Sequence, residues 1–405
     1  MNPKFHLAAW MLAFSAVAGA QAQPVPAQPP KPLPVPSIPQ PVMTLPSPPS
    51  VTGTSWLLMD YATGQILASH EPDKVVEPAS ITKVMTSYVA SAEIAAGKIS
   101  LDDQVLVSEN AWRGGGGGTD GSTSFLPVNS RVKLSDLLHG MIIQSGNDAS
   151  IALAEHIAGS EQAFAELMNA YAKRLGMNST HYVNAHGLSA PGHVTTARDI
   201  ALLSQAMIRD FPNEYRWYSE KEFTFNGIRQ YNRNTLLWKD ATVDGIKTGH
   251  HSAAGYCLAA SAKQGDMRLI SVVMGSTGEK QRADDSHALL TWGFRFFESR
   301  MLYDANTAVA TPKLWKGAAD TIALGLSDPL GVVVPRGRYG EIKAEMDLPQ
   351  QLVAPLAKHA PVGTLRVKLG DELLVERPLI ALDDAPEGGF FKRIGDGFWM
   401  WWESD

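Results

Sequence analysis

Three short triplets of the chain carry side chains that can perform nucleophilic catalysis. In the first, Ser80 and Lys83 stand three residues apart at the predicted start of a helix, which puts both side chains on one helix face, about 5–6 Å apart at Cβ. A serine hydroxyl needs a base to become a nucleophile, and a lysine can be that base when burial and nearby cations lower its pKa. The spacing therefore predicts Ser80 as a nucleophile and Lys83 as its base. The same spacing recurs at Ser130 and Lys133, which we interpret as ordinary surface.

The second triplet, Ser145–Gly146–Asn147, interrupts two apolar helical segments within residues 134–157. Polar side chains at such a break cost about 1–3 kcal/mol each when they are buried without a partner, so their presence suggests a purpose. The hydroxyl of Ser145 can pass a proton to a leaving amine, and the amide of Asn147 can orient the catalytic lysine and a substrate amide. Capping of the second helical segment by Ser145 or Asn147 is the structural alternative.

The third triplet, Lys247–Thr248–Gly249, is followed by His250 and precedes an apolar segment over residues 253–262. We predict that the triplet lies at the start of a strand on a sheet edge, where a peptide substrate can add to the sheet. Lys247 would supply positive charge for a carboxylate and lower the pKa of the lysine in the first triplet. Gly249 would let a substrate backbone approach closely. An exposed strand end with a solvated Lys247 is the alternative.

The composition is that of an ordinary globular protein. The chain has 405 residues, of which 44% are hydrophobic and 19% are charged, and its formal net charge is −6. This acidic balance argues against a general nucleic-acid binder, which is usually basic. The single cysteine, Cys257, rules out an intrachain disulfide and a cysteine-cluster metal site. Histidines such as His181, His186 and His251 show no metal-ligand spacing with enough partners, so we expect neither a metal nor a cofactor.

The elements that hold the triplets indicate a mixed α/β domain over residues 51–300. Strand patterns open this region and return over residues 222–274, and helical periodicity fills the stretch between them. From 301 to 387 the pattern changes to short alternating strands, with a hairpin that turns at Gly370–Asp371. We predict a small all-β domain there.

The first 50 residues lie outside the predicted folded body. Residues 1–22 combine Lys4, an apolar run and the small-x-small site Ala20–Gln21–Ala22, which predicts a secretory signal peptide. A membrane-spanning anchor is the alternative, but the run is shorter than the roughly 20 residues that a span needs. Residues 23–50 contain twelve prolines, which exclude helix and sheet and predict an extended linker. A proline-rich ligand for a partner protein is the second interpretation of that segment.

Residues 388–405 at the other end of the chain predict an amphipathic helix. At 100° per residue, six large apolar side chains fall in one arc of about 120°. They are Phe390, Phe391, Ile394, Phe398, Trp401 and Trp402. A terminal helix of this kind with tryptophan at one end favours binding in a membrane interface. Docking of the helix on its own domain is the alternative.

The three triplets occur together, in this order, in class A β-lactamases and penicillin-binding proteins. The segment Pro78–Thr86 resembles the active-serine segment of the low-molecular-mass penicillin-binding proteins, the serine-type D-alanyl-D-alanine carboxypeptidases. Further segments are similar to the same family: 145–149, 196–199, 223–228, 247–250 and 290–294. The likeness runs from about residue 52 to residue 300 and, in layout, continues through the small β domain and the terminal helix.

The resemblance implies that the α/β domain is of the penicillin-binding protein and β-lactamase type, an antiparallel sheet with helices. It also implies an exported enzyme that trims peptidoglycan. Its substrates would be stem peptides ending in D-Ala-D-Ala, and β-lactam antibiotics would bind it covalently. Its location would be the periplasm, peripherally attached to the outer face of the inner membrane, whose lipid the helix 388–405 would bind. Two features depart from the family: five consecutive glycines, Gly114–Gly118, stand in a loop beside the site, and the linker 23–50 is unusually long.

The resemblance also implies roles for residues around the triplets. The backbone N–H groups of Ser80 and His250 would hold the oxyanion. A cationic and polar set would hold the terminal carboxylate of the substrate: Lys247, Thr248, Arg198 and Arg282. Arginine suits this task because its guanidinium binds a carboxylate with two parallel hydrogen bonds. A solvated helix start is the alternative for Arg282.

Two other classes of protein share some of these features. A class A β-lactamase needs a glutamate that activates the deacylating water, in a loop between the second and third triplets. The acidic residue available between 175 and 200 is Asp199, whereas Glu161 and Glu166 fall in the preceding predicted helix. A non-catalytic wall-binding or penicillin-sensing module would not need Ser80 and Lys83 together with the other two triplets, so we favour the carboxypeptidase.

Overall fold

The computed structural model describes residues 45–115 and 121–402. The predicted signal peptide 1–22 and most of the predicted linker 23–50 lie outside the described residues. Residues 116–118 of the glycine run and the last three residues of the predicted terminal helix also lie outside them.

The larger, N-terminal part of the described chain is built on a five-stranded antiparallel sheet. The strands of this part are β1 (Ser55–Asp60), β2 (Ile66–His70), β3 (Gln104–Leu106), β4 (Arg131–Lys133), β5 (Glu222–Phe225), β6 (Ile228–Tyr231), β7 (Val243–His251), β8 (Gly255–Gln264) and β9 (Met267–Ser276). Four of them form two separate two-stranded sheets, β3 with β4 and β5 with β6. The helices of this part are α1 (Thr82–Ala95), α2 (Glu109–Gly114), α3 (Leu134–His139), α4 (Asn147–Ala158), α5 (Glu161–Arg174), α6 (Ala197–Asp210), α7 (Pro212–Tyr215), α8 (Leu236–Lys239) and α9 (Glu279–Phe296). The strand order is β2-β1-β9-β8-β7, so β7 is an edge strand.

Helices cover both faces of the sheet. Side chains of a strand point alternately to opposite faces, so each strand contributes to two cores. On β1, Leu57 and Met59 join the core under α1, α4 and α6, whereas Trp56 and Leu58 join the core under α9. This explains why the central strands are almost continuously apolar rather than alternating. The predicted α/β domain with an antiparallel sheet is confirmed.

The third triplet lies in a different part of the sheet from the one predicted. It does not begin the apolar strand that follows; it occupies the middle of β7, and the apolar segment forms the separate strand β8. Gly249 pairs with Cys257 across these two strands, so the two segments form a hairpin. The edge position, which leaves one side of β7 open to a peptide, agrees with the prediction.

The chain after α9 is β-rich. Its strands are β10 (Phe297–Tyr303), β11 (Leu314–Trp315), β12 (Leu324–Gly325), β13 (Leu330–Pro335), β14 (Ile342–Asp347), β15 (Leu352–Val353), β16 (Pro361–Leu369) and β17 (Glu372–Ala381). A four-stranded sheet in the order β12-β17-β16-β14 contains the predicted hairpin as β16 and β17. The small all-β domain is confirmed as a fold, while the predicted boundary at residue 301 stays a prediction.

A terminal helix, α10 (Phe390–Trp402), follows the β domain. Its polar side contacts the domain: the backbone N–H of Lys316 donates to Asp396 Oδ2 at 2.6 Å, and Gln351 Nε2 donates to the carbonyl of Met400 at 3.1 Å. Its six large apolar side chains of the predicted arc are all exposed. Among residues 45–115 and 121–402, no helix is both long enough and apolar enough to cross a membrane.

Candidate active site

The predicted nucleophile of the first triplet lies in a strained turn that leads into α1. Ser80 is the middle residue of a 3₁₀ turn, Ala79–Ile81, and Ala79 has a φ of +48°. A non-glycine residue in this left-handed region costs about 1–2 kcal/mol, so the surrounding structure must hold the turn in place. Lys83, one turn further on, donates from Nζ to Ser80 Oγ at 2.9 Å. The predicted helix face therefore brings the hydroxyl and the amine into contact.

The amine of Lys83 is buried and has three hydrogen-bond partners. Besides Ser80, it donates to Asn147 Oδ1 at 2.8 Å and to the carbonyl of His186 at 2.6 Å. The pKa of Lys83 is lowered to about 7, mainly by burial; Asp148 opposes the shift and Arg233 adds a smaller lowering. A base with a pKa near the working pH is well matched to general base catalysis. Burial, which we predicted together with nearby cations, is the main cause of this shift; the cation that contributes is Arg233 and not Lys247, which we had predicted.

The second triplet joins a π-helical turn to α4. Ser145 ends that turn, Gly140–Gln144, in the left-handed conformation with a φ of +69°. Its hydroxyl is buried and has no hydrogen-bond partner among the described residues, and Ser145 lines the cleft described below. Gly146 is required by space, because a Cβ there would lie 1.9 Å from Ser124 Oγ. Asn147 begins α4 and directs its amide oxygen at Lys83, as predicted.

The carboxylate after this triplet holds the segment that lines one side of the cleft. Asp148 accepts hydrogen bonds from the backbone N–H groups of Ser124, at 2.8 Å, and Leu126, at 3.2 Å. It also accepts from Thr123 Oγ1 at 2.8 Å. Donors of one loop therefore stabilise the negative charge of Asp148, and the same hydrogen bonds fix this loop beside the candidate catalytic residues.

The third triplet supplies the opposite side of the cleft. Lys247 and Thr248 are buried. Burial lowers the pKa of Lys247 well below its ordinary value, and the nearby cations Lys83, Arg233 and Arg282 lower it further. Gly249 packs on the nucleophile turn, because a Cβ there would lie 2.9 Å from the Pro78 carbonyl and 3.2 Å from the Ser80 nitrogen. The close approach that we predicted for Gly249 thus includes the protein's own backbone.

Only one of the two arginines that we predicted to bind the substrate carboxylate lies in the cleft. Arg282 is buried in the first turn of α9 and lines the cleft, where it donates to the Gly249 carbonyl at 3.1 Å. Its guanidinium also lies 5.6 Å from the centre of the Tyr256 ring. Arg198 is not in this cleft: on α6 it pairs with Asp73 through Nε, at 2.6 Å from Oδ1, and is partly exposed. We therefore withdraw Arg198 from the carboxylate set.

The cleft has a volume of about 260 Å³ and contains residues that the sequence did not point to. Together with Ser80, Ser145, Thr248, Gly249, His250 and Arg282, it is lined by Ser122, Arg233, Tyr256 and Glu279. Arg233 lies between Asn232 and Asn234, which are buried. In the sequence, this polar run between two predicted elements was the one local sign that these residues could belong to a site. Nothing in that run says which surface Arg233 faces, because the fold decides it.

Glu161 also reaches the surroundings of Lys83 from the preceding helix. Its Oε1 accepts the Ala185 N–H at 3.1 Å and lies 3.2 Å from Nε2 of His186, whose carbonyl binds Lys83. Burial raises the pKa of Glu161 and lowers the pKa of His186 to about 3. The carboxylate is thus occupied in holding a loop, and the sequence argument about helix position did not reveal this contact. In the described part of the chain, no group of three or more His, Cys, Asp or Glu side chains could hold a metal ion.

The fold and the cleft fit the class of serine acyl-transfer enzymes, with a buried lysine one helical turn after the predicted nucleophile. Residues 42–278 match the family model described as D-alanyl-D-alanine carboxypeptidase. Residues 297–387 match the model of the C-terminal domain of penicillin-binding protein 5. The chain belongs to the D-alanyl-D-alanine carboxypeptidase family, and the resemblance seen in the sequence is confirmed.

The chain is also similar to individual proteins of this kind. The D-alanyl-D-alanine carboxypeptidase DacC of Escherichia coli is 48% identical over 351 residues, covering 86% of this chain and 88% of its own. The crystal structure of penicillin-binding protein 5 from Haemophilus influenzae is similar with a TM-score of 0.81 and 42% identity, over 84% of this chain and 99% of its own. Penicillin-binding protein D2 from Listeria monocytogenes, solved in its ampicillin-bound form, has a TM-score of 0.53 and 28% identity, over 60% and 98% of the two chains.

Proposed function

We propose that this protein is a serine D-alanyl-D-alanine carboxypeptidase in which Ser80 forms the acyl-enzyme. The observation that carries the assignment is the 2.9 Å contact of Lys83 Nζ with Ser80 Oγ, together with a Lys83 pKa of about 7. At this pKa a large fraction of Lys83 is neutral near pH 7, so it can accept the proton of the hydroxyl while Ser80 attacks. The carbonyl attacked is that of the penultimate D-alanine.

The other residues of the cleft support the remaining steps. The N–H groups of Ser80 and His250 hold the oxyanion of the tetrahedral intermediate. The unpartnered hydroxyl of Ser145 passes a proton to the departing D-alanine amine. Asn147 holds Lys83 and the substrate amide, and water then hydrolyses the acyl-enzyme.

The terminal carboxylate of the substrate meets the cationic end of the cleft. Of the four residues that we predicted for it, Thr248 and Arg282 line the cleft, and Arg233 joins them as an exposed cation. Lys247 is buried next to Thr248 and does not line the cleft itself. The cations lower one another's proton affinity, so an incoming carboxylate relieves their repulsion. This makes the free C-terminus of a peptide a better substrate end than an internal amide.

Penicillins and related β-lactams present a strained cyclic amide and a carboxylate to the same groups. We propose that they acylate Ser80 and occupy the cationic end of the cleft in the same way as a peptide. The leaving amine of a β-lactam stays tethered to the acyl group, so the adduct persists longer than the peptide acyl-enzyme.

The experiment that tests the function uses a peptide ending in D-Ala-D-Ala and a fluorescent penicillin. We expect release of a single D-alanine by mass analysis, and covalent labelling of the tryptic peptide that contains Ser80. Ser80→Ala should abolish both, whereas Ser130→Ala, the partly exposed serine of the same spacing, should leave both unchanged. Labelling that survived in Ser80→Ala would locate the nucleophile elsewhere, and rapid multiple-turnover penicillin hydrolysis would identify a β-lactamase.

We also propose that the enzyme works in the periplasm, attached to the outer face of the inner membrane by residues 388–405. The exposed apolar side of α10 supports this proposal, since large aromatic side chains gain free energy in a membrane interface. The polar side of the helix pairs with the β domain: Lys392 with Asp320, and Arg393 with Glu387. One helix can therefore dock on its domain and still offer its apolar side to lipid.

A further inference from the structure

An acidic side chain lies at the cationic end of the cleft. Glu279 is the first residue of α9, and it lines the same cleft as Thr248 and Arg282. Its Oε1 accepts a hydrogen bond from Nη2 of Arg282 at 3.2 Å. The contact is also an ion pair between residues three apart on one helix. A carboxylate of the protein itself therefore occupies the arginine that we expect to bind the substrate carboxylate.

Arg282 is held in place by contacts other than the one with Glu279. Its Nη1 donates to the carbonyl of Gly249 at 3.1 Å, and its guanidinium lies 5.6 Å from the centre of the Tyr256 ring. Only 6% of its side chain is exposed, whereas 59% of the Glu279 side chain is exposed. The pair thus consists of a fixed cation and a carboxylate that can turn into solvent without moving the arginine.

The charge of Glu279 acts directly on this guanidinium. Burial lowers the pKa of Arg282; Glu279 opposes the shift, and Arg233 adds to it. The other cations of the region favour an anion at this place, and Glu279 already supplies one. Two carboxylates at one guanidinium repel each other, because like charges at short distance are unfavourable. A substrate carboxylate must therefore separate Glu279 from Arg282 or bind beside its negative charge.

We propose that Glu279 is a specificity-determining residue that competes with the carboxylate of a bound peptide for Arg282. The proposal rests on the function proposed above. In the free enzyme Glu279 stands in for the substrate carboxylate, so a ligand gains at Arg282 only the difference between two similar ion pairs. Glu279 therefore reduces the preference of the cleft for a charged over a neutral C-terminal end. It also weakens the binding of the released D-alanine, which keeps the carboxylate after the peptide bond is cleaved.

The test measures KM on a peptide ending in D-Ala-D-Ala, and inhibition by free D-alanine, in the full-length protein. For Glu279→Gln we expect KM to fall about 3-fold to 10-fold, because the amide keeps the shape of the side chain and removes its charge. The concentration of D-alanine that halves the rate should fall by a similar factor. Inhibition by D-alaninamide, which has no carboxylate, should not become stronger. Glu279→Ala should lower KM by a comparable factor, since Arg282 keeps its contacts with Gly249 and Tyr256.

Asp284→Asn is the matched control for the change in charge. Asp284 lies on the same helix, pairs with Lys239 and Lys280, and is not among the described residues that line the cleft. Its substitution removes the same charge from α9 without freeing a cation of the cleft. KM and inhibition by D-alanine should therefore stay within about twofold of the wild type. Equal effects of the Glu279 and Asp284 variants would indicate long-range electrostatics instead of competition at Arg282, and would overturn the proposal.

A supporting role for Glu279 gives the opposite sign. If Glu279 oriented Arg282 for the substrate, Glu279→Ala would raise KM and weaken inhibition by D-alanine, and that result would overturn the proposal. A KM within about twofold of the wild type in both Glu279 variants would overturn it as well. In an Arg282→Ala background, Glu279→Gln should lower KM by less than about twofold, because the contested cation is gone, and a full additive effect there contradicts the competition. Failure of the proposed function is distinct, since the wild type itself would then release no D-alanine.

Discussion

The catalytic cleft and the terminal helix depart from the usual distribution of side chains in opposite directions. Globular proteins bury apolar side chains and expose charged ones. The cleft buries the cations Lys83, Lys247 and Arg282, whereas α10 exposes the rings of Phe391 (87%) and Trp402 (64%). Each departure costs free energy in the isolated chain, and each is relieved by a different kind of molecule. A buried cationic cleft suits a small anion, and an exposed aromatic face suits a lipid surface.

The comparison also shows what distinguishes a site from a motif. Ser130 and Lys133 repeat the spacing of Ser80 and Lys83, but Lys133 is exposed and pairs with Asp102 at 2.7 Å. An exposed, paired ammonium keeps its proton, whereas a buried one loses it readily. Burial, and not spacing, distinguishes Lys83, the base that we propose, from Lys133.

The largest effect is expected from removing that base. Lys83→Met should reduce the rate of Ser80 acylation by about 10²-fold to 10⁴-fold, because the serine then loses its proton acceptor. The measurement is the second-order rate of labelling by a fluorescent penicillin. Lys133→Met, the same substitution at the same spacing on the surface, should leave the rate within twofold. Equal losses in the two variants would mean that burial does not distinguish the two lysines.

The next effect is a pH dependence with a defined sign. With a Lys83 pKa of about 7, acylation should rise about tenfold per pH unit below pH 7 and level off above it, because only the neutral amine accepts a proton. The contribution of Lys83 to the free energy of unfolding should also rise with pH between about 7 and 10.5, since the unfolded chain holds this proton there and the folded chain does not. Rate measurements from pH 5 to 9 check the first statement. A flat profile would assign the base to another group.

The opposite region is tested by deleting residues 388–405. The shortened protein should shift from the membrane to the soluble fraction, with a partition coefficient at least about tenfold lower, because the exposed aromatic face supplies the binding free energy. Its activity on a soluble D-Ala-D-Ala peptide should be unchanged, which separates the two regions. Unchanged partitioning would support a helix that only docks on the β domain.

The smallest effect is expected at Arg198. This arginine lies outside the cleft and makes a partly exposed ion pair with Asp73, which is worth about 0–1 kcal/mol. Arg198→Ala should change KM by less than twofold, whereas Arg233→Ala, which removes a cation from the cleft itself, should raise KM about tenfold. Steady-state kinetics on the same peptide measure both. A large KM effect at Arg198 would return it to the carboxylate set.

Much of the fold could be predicted because local periodicity and packing agree. The two apolar helical segments broken at Ser145–Gly146–Asn147, the α/β alternation and the hairpin near Gly370 all have strong local signals. The strand that carries Lys247 was harder to predict. The apolar segment after it dominated the hydrophobic pattern, so the sequence did not show that Lys247 lies in a strand of its own. Arg198 and Arg233 have the same side chain and sit in equally polar stretches. Only the path of the chain decides which of them reaches the cleft.

The sequence by itself determined the chemistry that is available: a serine and a lysine on one helix face, two polar triplets, a terminal amphipathic helix and the family to which the chain belongs. The tertiary structure decided which of these groups are activated. A side chain's identity and spacing are local properties, but its pKa and its partners depend on burial and on charges contributed by distant segments. For that reason Lys83, which the fold buries, has a lowered pKa that suits the base that we propose, while Lys133 stays an ordinary surface cation.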